Sequence, residues 1–309
     1  MDQFEDGVSY VVTIYNKAPF LPLVLEALSR QHGEFPREFI FVDDGSTDGS
    51  LDILRSVTGS WSNVSIISQK NAGPSRAFNT ALQYARLSHV KALDGDDILL
   101  PDATLRLRAA LSDGCRLAFG HGVTYENIPE CVDDLYRLHP SDETRPPKVV
   151  PDFLWSSLKM SQMAPSCWLA HNSLVRECGG CDETIFVQDY SIELRMVART
   201  PVAVIDGPVY FLQGPVDEQR VSANVRQILF DGNRAMANFF RDHPQLVRRY
   251  GWFAARRAAG RAWRWAQRHE GKTMFSRDWW RVVQSRLRIG DPARLIADTC
   301  GSFGKSVRI

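Results

Sequence analysis

Cysteine is scarce in this 309-residue chain, with six residues spread between Cys115 and Cys300. Such wide spacing is unlike the disulfide framework of a small secreted protein. Cys178 and Cys181 have the spacing of a metal knuckle, but the sequence contains no second CxxC and no HxxxH pair to complete a zinc site. We therefore expect both thiols to pack at a turn, with zinc or redox chemistry as the minor alternative.

Long apolar runs are also missing from the sequence. No stretch approaches the roughly 18 residues that a membrane-spanning helix needs. The acidic start, Met1–Asp6, lacks the basic and apolar regions of a secretory signal. Hydrophobic residues make up 44% and charged residues 24%, which is typical of a soluble globular protein. These features predict a cytoplasmic location.

A net charge of +1 conceals an uneven distribution of charge. Residues 241–309 contain sixteen Lys or Arg and five Asp or Glu, a balance of +11, which leaves 21 basic and 31 acidic residues in 1–240. Five of the eight tryptophans also follow residue 250. This basic, Trp-rich region suits binding to an anionic membrane surface. The protein would then be a peripheral protein on the inner face of the cell membrane. The region equally suits packing or an oligomer interface; we expect no nucleic acid to bind.

Short β-branched runs alternate with amphipathic helical patterns over the first 120 residues, which predicts an α/β fold with a doubly wound, mostly parallel sheet. The runs read as strands are Val8–Ile14, Phe39–Val42, Val64–Ser68, His89–Leu93 and Leu117–Phe119. Four prolines in residues 126–150 predict a loop there, and two further strands are expected at Val202–Ile205 and Val209–Leu212. From about Glu218 the pattern is helical, with breaks at His243-Pro244, Gly271 and Gly290.

Acidic residues follow two of the predicted strands. Asp43 and Asp44 begin one cluster, and Asp94, Asp96 and Asp97 form the other. The carboxyl ends of parallel strands lie at one edge of a sheet, where ligands bind. Crowded carboxylates need a compensating cation, and hard oxygen ligands suit Mg²⁺ or Mn²⁺ holding a diphosphate. The alternative is that these are solvated turn residues.

Several motifs resemble, in order and spacing, the nucleotide-binding half of family 2 glycosyltransferases with the GT-A fold. These are Val11–Lys17, Phe41–Asp48, Asn71–Asn79, Leu93–Asp97 and Leu100-Pro101. Gly179–Glu183 and Val187–Tyr190 resemble motifs of the second half of that family's domain. The resemblance implies a GT-A domain over residues 1–215, with a nucleotide-sugar-binding half (1–120), an acceptor-binding half (121–215) and a helical C-terminal extension (216–309).

The resemblance also implies a role for each matching residue. Thr13 and Tyr15 pack against the base, Asp44 hydrogen-bonds it, Arg76 lies beside the nucleotide, Asp94 faces the ribose, Asp96 ligates Mg²⁺ or Mn²⁺, Asp97 supports the carboxylate cluster, and Asp189 is the catalytic base. An N-cap role for Asp189 is the structural alternative. One base opposite the leaving group implies inversion at the sugar. The expected donor is a nucleotide sugar, a UDP-sugar in particular. The expected acceptor is a hydroxyl of a glycan, glycolipid or protein in cell-envelope polysaccharide or glycolipid synthesis.

Gln188 departs from the family pattern, which has Glu at this position. The lost negative charge predicts a lower pKa for Asp189 than a Glu neighbour would give. This departure leaves open a second function, a catalytically weak nucleotide-sugar-binding protein tethered to a membrane or partner. A nucleotidyltransferase is disfavoured because no glycine-rich phosphate loop follows the first strand.

Overall fold

The computed structural model describes residues 4–138, 146–213 and 224–304. Tertiary contacts divide the chain into two compact units. The functional divisions predicted at residues 120 and 215 stay predictions. The first unit holds the described residues of Met1–Phe153, Met163–Cys181 and Met196–Asp217, and the second holds those of Leu154–Gln162, Asp182–Arg195 and Glu218–Ile309.

The first unit contains a sheet whose first part is parallel. Its strands are β1 (Glu5–Ile14), β2 (Arg37–Asp43), β3 (Val64–Ser68) and β4 (Leu87–Asp94). They lie in the order β3-β2-β1-β4, each parallel to its neighbour. This arrangement confirms the α/β class and the predicted parallel sheet.

Helices connect these strands and bury an apolar stripe. They are α1 (Leu21–Ser29), α2 (Ser50–Thr58) and α3 (Pro74–Tyr84). Leu21, Val24, Leu25 and Leu28 of α1 are fully buried, as the 3.6-residue spacing predicts. Burial is nearly continuous along β1 because helices cover both faces of a parallel sheet. The carboxyl ends of β1, β2 and β4 therefore lie together at one edge.

The sheet continues with mixed pairing. The added strands are β5 (Ile98–Leu99), β6 (Leu117–Tyr125), β7 (Lys148–Val150), β8 (Trp168–His171) and β9 (Val202–Gln213). β8 is antiparallel to both β4 and β6, whereas β6 and β9 are parallel. The helices α4 (Ala103–Ala109), α5 (Val132–Leu138) and α7 (Asn172–Glu177) complete the described part of this unit.

The prediction of two separate strands over residues 202–212 is wrong, because β9 runs without a break to Gln213. The register with β6 shifts where Phe119 pairs with Val204 and His121 pairs with Pro208. Gly207 has a φ of +85° there. A glycine in this conformation absorbs extra residues as a bulge, so the strand passes its proline without ending.

The prediction of a loop over residues 126–150 is wrong for α5 and β7, which lie within it. α5 buries Val132 and Leu135, and the Tyr136 hydroxyl donates to the Leu99 carbonyl at 3.0 Å. None of the prolines in the segment falls inside either element. These prolines bound the short elements rather than exclude them.

The second unit is helical. It contains α6 (Leu154–Lys159), the first eight residues of α8 (Gln188–Val197), α9 (Val225–Asp242), α10 (Val247–Glu270), α11 (Arg277–Leu287) and α12 (Pro292–Thr299). The expected interruptions at His243-Pro244, Gly271 and Gly290 all fall between helices. Ala254, Ala258, Ala262 and Ala266 form a fully buried face of α10 at four-residue spacing. No helix in the described ranges is both long enough and apolar enough to cross a bilayer.

The cysteine-bearing turn after α7 depends on two glycines. Gly179 and Gly180 have φ values of +72° and +69°, and both flanking cysteines are buried free thiols. The Asn79 side chain holds the turn, accepting from the Cys181 N–H at 2.8 Å and donating to its carbonyl at 3.0 Å. A Cβ on Gly180 would lie 2.3 Å from the Asn79 Oδ1 atom, whereas one on Gly179 meets no atom within 4 Å.

We predict that Gly180→Ala destabilises the protein more than Gly179→Ala. Both substitutions force an L-residue into the left-handed region, at about 1–2 kcal/mol each. Only Gly180→Ala also displaces Asn79, which adds about 1–3 kcal/mol. Urea unfolding followed by circular dichroism measures the difference.

In an Asn79→Ala background, the two glycine substitutions should become equally costly. An excess penalty for Gly180→Ala that persists without the Asn79 side chain would contradict this explanation.

Candidate active site

The segment that follows β1 (residues 16–18) and the segment that follows β2 (residues 47–50) are joined by hydrogen bonds between side chains and backbone. The Lys17 N–H donates to Ser50 Oγ at 2.8 Å, and the Ala18 N–H donates to Asp48 Oδ2 at 3.0 Å. In return, Asn16, which has a φ of +52°, accepts the Thr47 N–H at 2.8 Å. These hydrogen bonds give the predicted nucleotide-binding edge a defined backbone.

Asp44 is buried and holds the turn that precedes α3. Its Oδ1 atom accepts from the Gln69 side chain at 2.8 Å and from the Ala72 N–H at 2.9 Å. Its Oδ2 atom accepts from the Gly73 N–H at 2.8 Å. The carboxylate predicted to hydrogen-bond the base therefore also fixes the turn from which α3 presents Arg76. Arg76 is solvent-exposed in the first turn of that helix.

Thr13 and Asp94 are brought side by side at the ends of β1 and β4. They are paired in the parallel register, and the Gly95 N–H donates to the Thr13 carbonyl at 3.0 Å. A Cβ on Gly95 would meet that carbonyl at 3.0 Å. Glycine therefore favours this close approach, since a side chain would have to displace one of the two backbones slightly. Tyr15, two residues beyond Thr13, is 47% exposed, so its ring is accessible to a ligand.

Asp97 is the buried member of the acidic cluster, and the Ser166 hydroxyl donates to its carboxylate. Loss of hydration on burial raises the pKa of Asp97 well above its usual value, and the nearby charges of Asp96 and Asp94 raise it further. Ser166 Oγ also accepts the Asp94 N–H at 3.1 Å. One serine thus connects Asp97 with the end of β4.

Two lysines supply positive charge near these carboxylates. Lys91 is fully buried, and its ammonium donates to the carbonyls of Ala92 and Ser166 at 2.7 Å each. Burial lowers the pKa of Lys91 to about 7. Lys17 is partly exposed and forms an ion pair with Asp96. Neither lysine was assigned a role by the sequence analysis, although Lys91 is conspicuous as a charge within an apolar strand.

Asp189 belongs to the second unit and is half-buried, as the second residue of α8. Because the helix already begins at Gln188, Asp189 lies in its first turn and not at the N-cap position, and its carboxylate accepts the Tyr190 N–H at 2.7 Å. Although some solvent exposure remains, the pKa of Asp189 is raised to about 6, mainly by loss of hydration and to a smaller extent by the charge of Asp231. This pKa suits a general base near neutral pH.

Asp231 is a functional candidate that the motif comparison missed. Its Oδ2 atom accepts the N–H groups of Phe186 at 3.1 Å and Val187 at 2.8 Å, and the Gln227 side chain at 3.0 Å. It therefore fixes the backbone that leads into α8 and Asp189. A carboxylate on the buried face of the amphipathic helix α9 was the available sequence signal.

The donor set at the sheet edge fits a divalent cation that also binds a diphosphate. No three His, Cys, Asp or Glu side chains within the described ranges come together as a protein-only metal site. Mg²⁺, however, is commonly held by one or two carboxylates together with substrate phosphates. Asp96 offers a partly exposed carboxylate that already binds a cationic group, the Lys17 ammonium. Its assignment as the metal ligand stays a prediction.

The chain matches a family profile in sequence and aligns with solved structures in fold. The profile of "Glycosyl transferase family 2" matches residues 9–166, just over half of the chain. The structure of S. aureus TarS (residues 1–349) in complex with UDP-GlcNAc aligns with a TM-score of 0.65 at 16% identity, covering 96% of this chain and 83% of that one. Mannosyltransferase PcManGT from Pyrobaculum calidifontis, in complex with GDP-Man and Mn²⁺, aligns with a TM-score of 0.56 at 15% identity, covering 98% and 86%. These alignments confirm the predicted GT-A fold.

Curated relatives align over shorter segments. Chondroitin synthase of Escherichia coli is 38% identical over 97 residues, which are 31% of this chain and 14% of that protein. Poly(ribitol-phosphate) beta-glucosyltransferase of Bacillus spizizenii is 34% identical over 104 residues, 32% of this chain and 16% of that protein. The aligned segments thus span less than a fifth of either relative.

We predict that Asp44→Asn destabilises the protein by about 1–3 kcal/mol, because the amide nitrogen replaces an acceptor where only donors face it. Urea unfolding of the variant measures this loss. Asp113→Asn, which changes an exposed carboxylate of the same unit, serves as the control and should stay within about 0.5 kcal/mol of the parent. Equal stability of the two variants would contradict the structural role of Asp44.

Proposed function

The chain belongs to glycosyl transferase family 2, and we propose that it is an inverting enzyme that transfers a sugar from a nucleotide-diphosphate sugar to an acceptor hydroxyl. The observation that supports this most directly is the edge formed by Thr13, Asp44, Asp94 and Asp96 at the ends of three adjacent parallel strands. Carboxylates at this edge can bind the hydroxyl and N–H groups of a nucleoside. TarS was solved with UDP-GlcNAc, which favours a UDP-sugar as donor.

On the donor side, the protein has to bind a diphosphate beside its own carboxylates. Asp96 would hold Mg²⁺ or Mn²⁺ there, and such an ion supplies neutralisation of the charge that develops on the leaving diphosphate. The Lys17 ammonium that pairs with Asp96 is then available to a phosphate oxygen. Asp44 and Asp94 address the base and the ribose, and exposed Arg76 offers a guanidinium near the nucleotide.

On the acceptor side, Asp189 would take the proton of the attacking hydroxyl. A pKa of about 6 leaves the carboxylate about 90% ionised at pH 7, which a base requires. A single base on the face opposite the leaving group gives inversion at the anomeric carbon. Asp231 would hold the backbone before Asp189 and keep the pKa of that base from falling.

The acceptor class and the location are also proposals. The curated relatives include Chondroitin synthase, Poly(ribitol-phosphate) beta-glucosyltransferase and Cholesterol galactosyltransferase of Borreliella burgdorferi. We propose a glycan, glycolipid or protein acceptor in cell-envelope polysaccharide or glycolipid synthesis. The proposed location is cytoplasmic, at the inner face of the membrane, with the basic residues of 241–309 facing anionic lipid.

A catalytically weak nucleotide-sugar-binding protein is the second candidate, favoured by Gln188 in place of Glu. A screen of several nucleotide sugars with Mg²⁺ or Mn²⁺, read by nucleoside diphosphate release with and without acceptor glycans, separates the two functions. Turnover supports the enzyme, and tight donor binding without release across the screen supports the alternative.

We predict that Asp96→Ala abolishes the metal-dependent part of UDP binding, because the cation loses its protein ligand. Isothermal titration with and without Mn²⁺ measures this part directly. Asp113→Ala, which removes an exposed carboxylate of the same unit, should bind UDP as the parent does. Metal-stimulated affinity that survives in Asp96→Ala would refute the ligand assignment.

We predict that kcat/KM falls with decreasing pH below about 6, approaching tenfold per pH unit, because protonated Asp189 cannot act as a base. Asp189→Asn should lower transfer by about 10² to 10⁴-fold and leave UDP affinity unchanged. Asp231→Asn should move the acidic limb to lower pH, because it removes a negative charge that raises the pKa of Asp189. Near-parental turnover of folded Asp189→Asn would assign the base elsewhere.

A further inference from the structure

The helix α11 presents an apolar stripe on its outward face. Trp280 is 50% exposed and Leu287 is 66% exposed, and Val283 lies between them on the same face. Their spacing, i, i+3 and i+7, is that of one helical stripe. In a water-soluble surface helix this stripe normally faces the core, so its position here is reversed.

Further apolar side chains extend the stripe beyond the start of the helix. Phe275 and Met274 are 73% and 63% exposed, and the Phe275 ring packs against Trp279 with centroids 5.1 Å apart. Phe275 has a φ of +72°, an unfavourable conformation for an aromatic residue. The local backbone therefore holds this ring in solvent at a conformational cost. We call Met274, Phe275, Trp280, Val283 and Leu287 the α11 apolar face.

The opposite side of α11 is firmly anchored. Asp278 is buried and accepts from Lys272 Nζ at 3.1 Å, from Arg281 Nη1 at 2.9 Å and from the Ser302 hydroxyl. Ser276 caps the helix through the Trp279 N–H. These contacts fix which side of the helix points outward, so the exposure of the apolar face is a property of the folded unit.

The charge around the α11 apolar face selects the kind of partner. Residues 271–290 contain five Lys or Arg and a single acidic residue, the inward-facing Asp278. Arg277, Arg286 and Arg288 are exposed beside the apolar side chains. A second copy of the chain that docked through this same face would oppose positive charge with positive charge. An anionic lipid surface offers both an apolar layer for Trp and Leu and phosphates for Arg.

We propose that the α11 apolar face is a membrane-docking surface, which inserts its aromatic and aliphatic side chains among anionic lipid headgroups while the flanking arginines bind phosphate. The proposal gives the proposed peripheral location a defined surface and does not depend on sugar transfer. The docking surface is a single helix and its preceding turn, so its variants can be distinguished from a general attraction by the overall charge of residues 241–309.

Sedimentation of the full-length protein with vesicles of equal phosphatidylglycerol and phosphatidylcholine tests this surface. We expect binding at low salt, weaker binding to pure phosphatidylcholine, and at least tenfold weaker binding of the double variant Trp280→Ser with Leu287→Ser. The matched control is Tyr84→Ser with Leu105→Ser, which removes exposed apolar side chains of the first unit and should bind vesicles as the parent does.

A charge pair completes the test. Arg277→Gln with Arg286→Gln should weaken vesicle binding more than Arg264→Gln with Arg268→Gln, which removes exposed charges from α10. Equal losses in the two, or parental binding by the Trp280 and Leu287 variant, would overturn the proposal. So would a dimer in light scattering that this variant abolishes, since the face would then bind a second copy. UDP affinity measured in the same samples should be unchanged, and its loss alone would count against the donor site and not against docking.

Discussion

Three carboxylates within four residues, Asp94, Asp96 and Asp97, lie where β4 ends, and the surrounding structure has to tolerate their mutual repulsion. Asp97 is removed from water, so its pKa rises and its charge is suppressed. Lys91 lies behind the cluster, and its pKa shifts the opposite way for the same physical reason. Ser166 joins the two through its carbonyl and hydroxyl. Burial thus favours the neutral forms of both Asp97 and Lys91, and the neutral form of Asp97 reduces the repulsion among the carboxylates at this edge of the sheet.

The parallel topology explains why this edge collects ligand groups from distant parts of the sequence. β1, β2 and β4 end side by side, so Thr13, Asp44 and Asp94 share an edge although two strands and three helices lie between Thr13 and Asp94 along the chain. Gly95 favours the close approach of the β1 and β4 ends, and Asp44 holds the turn before α3 by accepting three hydrogen bonds. Residues that look like ligand-binding groups therefore also have structural roles, and mutating them affects both stability and binding.

Sequence reasoning predicted the parallel strands well because their apolar runs are short, uniform and bounded by turns; β3 has the predicted bounds, Val64–Ser68. It also predicted which strand ends bear carboxylates, since topology alone determines that edge. It missed partners that only tertiary folding brings together. Lys91 and Ser166 are 75 residues apart, and Asp231 is 44 residues from Val187. It also took the prolines of residues 126–150 as the mark of a loop and divided residues 202–212 into two strands, whereas a left-handed Gly207 lets β9 continue.

The two lysines near the acidic cluster differ in what they can do. Lys91 is fully buried and its side chain donates to two carbonyls, so its position is fixed by the fold. Lys17 is partly exposed. Its backbone N–H donates to Ser50, and its side chain forms the ion pair with Asp96. The Lys17 ammonium also lies 6.0 Å from the centre of the Phe20 ring, and neither contact involves its backbone, so the side chain can exchange partners without disturbing the loop. Compensation of Asp96 is therefore the exchangeable part of the cluster, and under the proposed function a cation with its diphosphate would take the place of Lys17 there.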